Sequence, residues 1–170
     1  ARGRCRSCGA GISPAYPLME ALYGFLALVL YFQFGLTVYF AVIFLLAGLG
    51  LCISVIDLKT MSIPNALIAV FGILSIYPLV IQKSPLDNLY GLLLMTAFFV
   101  TVLLLFPGSF GGGDVKFAAV IGLLLGLELA VGALEASLIS GAVAGIIYAV
   151  KTGRGLRTRI PFGPFLFLGM

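Results

Sequence analysis

Residues 36–56 read LTVYFAVIFLLAGLGLCISVI, 21 residues without a charged side chain, and end at Asp57-Leu58-Lys59. A surface helix of a soluble domain keeps a polar face, whereas roughly 20 uninterrupted apolar residues match a bilayer core of ~30 Å. The stretch is read as a transmembrane helix, and the rest of the chain repeats the pattern. Further apolar runs occupy residues 16–34, 64–81, 89–106, 115–126 and 129–150, and a shorter one fills 160–170. Composition agrees: 62% of the 170 residues are hydrophobic and 9% charged, against about 45–50% and about 25% in soluble domains. The expected fold is an all-α polytopic integral membrane protein, a bundle of about six transmembrane helices plus a partial seventh.

The breaks between runs carry ordinary helix signals. Ser62 and Pro64 suit the cap and first turn of one helix, and Asp87 or Asn88 suits the cap of the next. No linker, low-complexity tail or fixed-period repeat interrupts the series, so residues 16–170 are read as one transmembrane domain. Residues 1–15 are read as the remnant of a basic loop carrying Cys5 and Cys8. The chain opens at Ala1 without a methionine or a signal-peptide pattern, which is read as a piece whose N-terminal portion is missing.

If the spans alternate, one side of the membrane receives Arg2, Arg4, Arg6, Lys59, Lys116, Lys151, Arg154, Arg157 and Arg159, and the other receives only Lys83. Nine against one places the basic side in the cytoplasm. These charges sit in short clusters between apolar runs rather than in a stripe, so they report orientation and not a nucleic-acid partner. The chain has no histidine, which excludes a Ser-His-Asp triad and an imidazole metal site. Chemistry falls to six carboxylates, three cysteines and the lysines. Cys5 and Cys8 are too close for a typical structural disulfide, and Cys52 lies inside an apolar run.

The same alternation brings Asp57, at the end of the second run, and Asp114, at the start of the fifth, to one face. Asp114 opens an apolar run, so its ordinary role is a helix N-cap favoured by the macrodipole. Asp57 sits where the dipole is negative and a carboxylate is disfavoured, and loop solvation is its ordinary explanation. Gly111, Gly112 and Gly113 make a poor helix interior and leave backbone groups free, which at membrane depth requires a polar pocket or water. The run 115–126 is only about 18 Å long at 1.5 Å per residue, so Asp114 is expected below the membrane surface.

The segment Phe110-Gly111-Gly112-Gly113-Asp114-Val115-Lys116 resembles the Gly-x-Gly-Asp signature of membrane aspartic proteases. Together with Ile56-Asp57-Leu58-Lys59-Thr60-Met61-Ser62-Ile63-Pro64-Asn65, it is similar to the bacterial type IV prepilin peptidases. Arg4-Cys5-Arg6-Ser7-Cys8-Gly9, Tyr16-Pro17-Leu18-Met19-Glu20 and Ile160-Pro161-Phe162-Gly163-Pro164-Phe165 fit the same family, so the resemblance covers nearly the whole chain.

The resemblance implies that Asp57 and Asp114 are a catalytic pair. Carboxylates sharing a site cannot both ionise cheaply, so one keeps a proton while the other acts as base on a water. The substrate class it implies is the precursor of a type IV pilin or pilin-like secretion subunit, with a short basic cytoplasmic leader cut after a glycine. It places the protein in the bacterial inner (cytoplasmic) membrane, aspartates toward the cytoplasm. Gly111, Gly112 and Gly113 would let a substrate backbone approach, or else form a plain flexible loop. Lys116, Glu20, Pro161 and Gly163 stand as supporting or substrate-contacting residues, and Lys59 and Lys116 also fit as snorkelling anchors. Lys59 and Asn65 depart from acidic residues that bacterial members often carry.

The peptidase reaction needs no cofactor. Many bacterial members also methylate the new N-terminal amine with S-adenosylmethionine and carry two Cys-x-x-Cys pairs. Here one pair is present, Cys5 and Cys8, half of a zinc site, so zinc and methyl transfer are expected only of an intact protein. Glu135 lies inside an apolar run nearer the outer face, and Glu128 marks the outer turn. Two other readings remain open from the residues alone: a cation or proton transporter with a broken helix, and a non-catalytic membrane assembly subunit. Nothing in the residues sets an oligomeric state.

Overall fold

The computed structural model describes residues 3, 6–11, 13–82, 84–107, 110–152 and 160–170. Its elements are helical: α1 (Ala15–Phe34), α2 (Val38–Thr60), α3 (Asn65–Gln82), α4 (Pro85–Leu105), α5 (Gly112–Thr152) and α6 (Gly163–Gly169). Four of them, α1, α2, α4 and α5, are long and apolar enough to cross a membrane, and α3 adds a shorter, mostly apolar helix of 18 residues. Phe32, Leu36 and Val150 are 83%, 81% and 78% exposed, a surface suited to lipid rather than water. The protein is an all-helical polytopic membrane protein.

The chain divides into two compact units, residues 1–48 and 49–170, and α2 contributes to both. In the first, α1 ends at Gly35, whose φ 62° and ψ −168° are open essentially to glycine alone, and its N–H bonds Tyr31 O at 2.8 Å. Thr37 Oγ1 then accepts the Phe40 N–H at 3.1 Å, satisfying an orphan donor at the start of α2. Tyr23 stacks on Phe44 with centroids 4.2 Å apart, and its hydroxyl donates to Phe44 O at 2.9 Å. Gly48 leaves the room that this ring occupies.

The second unit is organised around α5. At Gly126 the backbone leaves helical geometry (φ 77°, ψ 177°), so α5 is two arms, 112–125 and 127–152. The break falls where the sequence predicts one span to end and the next to begin. A side chain at Gly126 would strike the Asp87 carboxylate, and Asp87 Oδ1 accepts the Leu127 N–H at 3.2 Å. Asp87 and Asn88 thus do not cap their own helix, which starts at Pro85. Asp87 caps the second arm of α5, while Asn88 is buried and its amide donates to Leu123 O at 2.8 Å.

These contacts set α4 antiparallel to the first arm. Gly91 meets the backbone of Gly122 and Gly126, a separation that any side chain would forbid. Phe99, further along α4, reaches the rings of Phe110 and Phe162 at 5.0 and 5.6 Å. Phe71 of α3 meets Phe117 edge-on at 5.5 Å. The second arm returns antiparallel to α6: Gly169 lies against Ala133 and Ser137, Gly141 against the Phe162 ring, and Gly145 against Ile160. Buried Ser75 and Ser137 satisfy their hydroxyls on their own helices, at Phe71 O (2.8 Å) and Ala133 O (2.6 Å). The result brings the end of α2, the start of α5 and the start of α6 to one end of the unit.

Candidate active site

Asp57 lies in the last turn of α2 and Asp114 in the first turn of α5, 4% and 9% exposed. Burying a carboxylate demands hydrogen bonds, and each of these receives one from a glycine amide. The Gly163 N–H donates to Asp57 Oδ2 at 2.8 Å, and the Gly111 N–H donates to Asp114 Oδ2 at 2.8 Å. Asp114 is therefore not the N-cap that its position suggests: α5 starts at Gly112, and the carboxylate reaches back over the preceding residues as the acidic partner of a capping box does. Asp114 Oδ1 is buried with no hydrogen-bond partner among the described residues.

Both aspartates line one cavity of about 320 Å³. Its walls are the turn at 61–65 after α2 and the segment 111–116 that opens α5. The two walls touch because Gly113 has no side chain: a Cβ there would sit 3.0 Å from Ile63 Cβ and 3.5 Å from the Ile63 backbone. A Cβ at Gly111 would lie 3.4 Å from Asp114 Oδ2, while one at Gly112 would meet nothing within 4 Å. The glycines thus differ in kind, with the first and third close to the aspartate walls and the middle one open.

At the rim the Lys116 ammonium donates to Asn65 Oδ1 at 3.0 Å, joining the start of α5 to the start of α3. Gly163 approaches from α6, where a Cβ would sit 2.9 Å from Asp57 Oδ2 and 3.2 Å from Asp57 Cβ. The Ser54 hydroxyl, bonded to Gly50 O at 2.8 Å, lies 3.5 Å from Gly163 O and buttresses the same junction. Phe162 packs edge-on against Phe110 at 4.8 Å and tilted against Phe165 at 5.8 Å, a ring cluster that anchors the start of α6.

The structure therefore brings together Asp57, Asp114, Gly111, Gly112, Gly113, Lys116 and Gly163. Pro161 is half-buried two residues before Gly163. Glu20 is exposed on α1 in the first unit. Cys5 lies outside the described residues, and Cys8 and Cys52 are exposed free thiols, so Cys52 is on the surface of α2 rather than inside the bundle. Among the described residues no group of three or more His, Cys, Asp or Glu side chains is placed to hold a metal ion. The donor set of this chain, Cys5 and Cys8 without histidine, does not complete a four-ligand zinc site. Met61 and Ile63 are cavity residues that the sequence does not single out, and Asn65, noted there only as a departure from an acidic residue, lines the cavity as well.

Comparison with known proteins decides what these residues belong to. The model of the type IV leader peptidase family matches residues 43–150, and that of the bacterial peptidase A24 N-terminal domain matches residues 1–34. The prepilin leader peptidase/N-methyltransferase of Bacillus subtilis (strain 168) is 36% identical, over 99% of this chain and 68% of its own length. The chain belongs to the type IV leader peptidase family. The protein of that name from Legionella pneumophila is 34% identical over 97% of this chain and 60% of its own length. The type 4 prepilin-like proteins leader peptide-processing enzyme of Escherichia coli O78:H11 is 34% identical over 99% and 64%. The chain thus spans about two thirds of the length of these relatives. No solved structure gives a significant match. Both aspartates lie inside the segment that matches the leader peptidase family, and Gly163 lies beyond it.

Proposed function

We propose that this chain is the peptidase part of a membrane aspartic endopeptidase that removes the short basic leader from type IV prepilins and pilin-like secretion subunits, cutting after a glycine. The observation that carries the proposal is that two buried aspartates, 57 residues apart, line one cavity with a glycine amide on each. Two carboxylates at one cavity hold a proton between them, the arrangement that aspartic proteolysis requires. The ionised member takes a proton from a water, which attacks the scissile carbonyl. The protonated member hydrogen-bonds the developing oxyanion, and a proton then passes to the leaving amine.

The glycine amides orient one oxygen of each carboxylate and leave the other for water, proton or substrate. Asp114 Oδ1, buried and unpartnered among the described residues, suits that use. The nine-to-one distribution of basic residues supports an orientation with this cavity toward the cytoplasm, in the bacterial inner membrane, where a cytoplasmic leader meets a membrane helix. Methyl transfer from S-adenosylmethionine to the new amine is the second activity we propose for the whole protein, following the relatives' names. No described residue is assigned to it. Cleavage of a leader-bearing prepilin by the purified protein in liposomes, compared with Asp57→Asn and Asp114→Asn, tests the proposal.

A further inference from the structure

The two glycine amides that hold the aspartates share one kind of neighbour. Gly111, whose N–H bonds Asp114 Oδ2, follows Phe110, and Gly163, whose N–H bonds Asp57 Oδ2, follows Phe162. A peptide bond is planar, so each of these N–H groups lies in one rigid plane with the Cα of the phenylalanine before it. Glycine has no side chain by which the fold could grip that plane from the other side, and its backbone is the freest of all. The preceding ring therefore supplies the grip on each amide.

The two rings are not held separately. Phe110 and Phe162 meet with centroids 4.8 Å apart, and Phe99 of α4 closes a triangle, 5.0 Å from Phe110 and 5.6 Å from Phe162. The planes cross at 71°, 65° and 60°, the inclined packing that aromatic rings prefer to a face-to-face sandwich. Phe99 is fully buried and Phe162 is 9% exposed, so the contacts have little room to slip. Phe99 is not one of the described residues that line the cavity. An ordinary core cluster could form on any residues, whereas two members of this one are covalently joined to the amides that orient the carboxylates.

We infer that Phe99 is a positioning residue for the aspartate pair: packed against Phe110 and Phe162 at once, it locks the two amides, and with them Asp57 and Asp114, into one spacing. The inference rests on the peptidase reading above. The rings act on the carboxylates and not on the substrate, so disturbing them slows the chemical step and leaves substrate binding alone.

The test measures melting temperature, and kcat and KM for cleavage of a leader-bearing prepilin in liposomes. The proteins are the unaltered chain, Phe99→Leu, Phe110→Leu, Phe162→Leu, the double variant of Phe110 and Phe162, Met95→Ala and Asp57→Asn. Met95 is the packing control: it is also fully buried on α4, one turn before Phe99, and lies against Gly122. Phe99→Leu is expected to lower kcat about 10- to 100-fold with KM within about twofold. Met95→Ala is expected to lower the melting temperature and keep kcat within about twofold where it remains folded. Phe110→Leu and Phe162→Leu are expected to resemble Phe99→Leu, and the double variant to be no slower than the poorer single one.

The inference is overturned if Phe99→Leu keeps its kcat, or if Met95→Ala loses as much. It is also overturned if the losses at Phe110 and Phe162 multiply, since each amide would then be held on its own. Should Phe99→Leu fail to fold, the Phe110 and Phe162 variants decide by the same criterion. If Asp57→Asn still cleaves, the peptidase reading fails and the positioning role falls with it; if Asp57→Asn is inactive and Phe99→Leu cleaves as the unaltered chain does, the positioning role alone fails.

Discussion

The N–H of Gly163 donates a 2.8 Å hydrogen bond to Asp57 Oδ2, joining the start of the last helix to the end of the second across 106 residues of sequence. The bond places one carboxylate oxygen and thereby aims the other. It also explains a glycine between two prolines and aromatics, since α6 comes so near Asp57 that only a hydrogen fits.

Gly163→Ala adds a methyl group 2.9 Å from Asp57 Oδ2 and 3.2 Å from its Cβ, so either α6 or the carboxylate must shift. A displacement on the order of 1 Å at a reacting group costs about 100-fold in rate. The expected outcome is a fall in kcat of about 10- to 100-fold with the helical circular dichroism spectrum retained.

The three glycines before Asp114 are expected to respond differently. Gly112→Ala meets nothing within 4 Å and should leave cleavage within about twofold of the unaltered rate, whereas Gly113→Ala pushes against Ile63 at 3.0 Å and parts the cavity walls. Steady-state assays on the two variants, made in parallel, check the contrast. Equal losses in both would contradict the close approach of Gly113 to Ile63.

Asp87 supports the break in α5 at the end of the unit away from the cavity. Asp87→Ala removes the acceptor of the Leu127 N–H, a capping loss of about 1 kcal/mol. The expected result is a lower melting temperature with cleavage unchanged at temperatures where the variant remains folded.

Lys116 and Asn65 share a hydrogen bond at an exposed rim, where such pairs contribute about 0.2–1 kcal/mol. Lys116→Met and Asn65→Ala are each expected to slow cleavage by less than about tenfold. The double variant should be no worse than the poorer single one. Losses that multiply would mean that the two side chains act apart.

Much of this architecture is legible along the chain because membrane helices advertise themselves as apolar runs. The runs at 16–34, 36–56 and 64–81 became Ala15–Phe34, Val38–Thr60 and Asn65–Gln82. The run at 89–106 begins too late, since α4 starts at Pro85. The polar pair Asp87 and Asn88 reads as a boundary, yet both bond to α5, a partnership decided by tertiary packing. The aspartates are legible through their positions at run ends and the glycines beside Asp114. Why Gly163 must be glycine is not, because the group that crowds it lies on α2. Met61 has no local signal at all: its positive φ, 51°, falls in the turn between α2 and α3, two residues before the Ile63 that lies against Gly113.

The most direct test of the central claim is prepilin cleavage in liposomes by the unaltered protein, Asp57→Asn and Asp114→Asn, each confirmed as folded by circular dichroism and melting. The account predicts loss of cleavage in both variants, because each removes one carboxylate from a pair that must hold a proton and activate water together. Cleavage retained in either folded variant would contradict it.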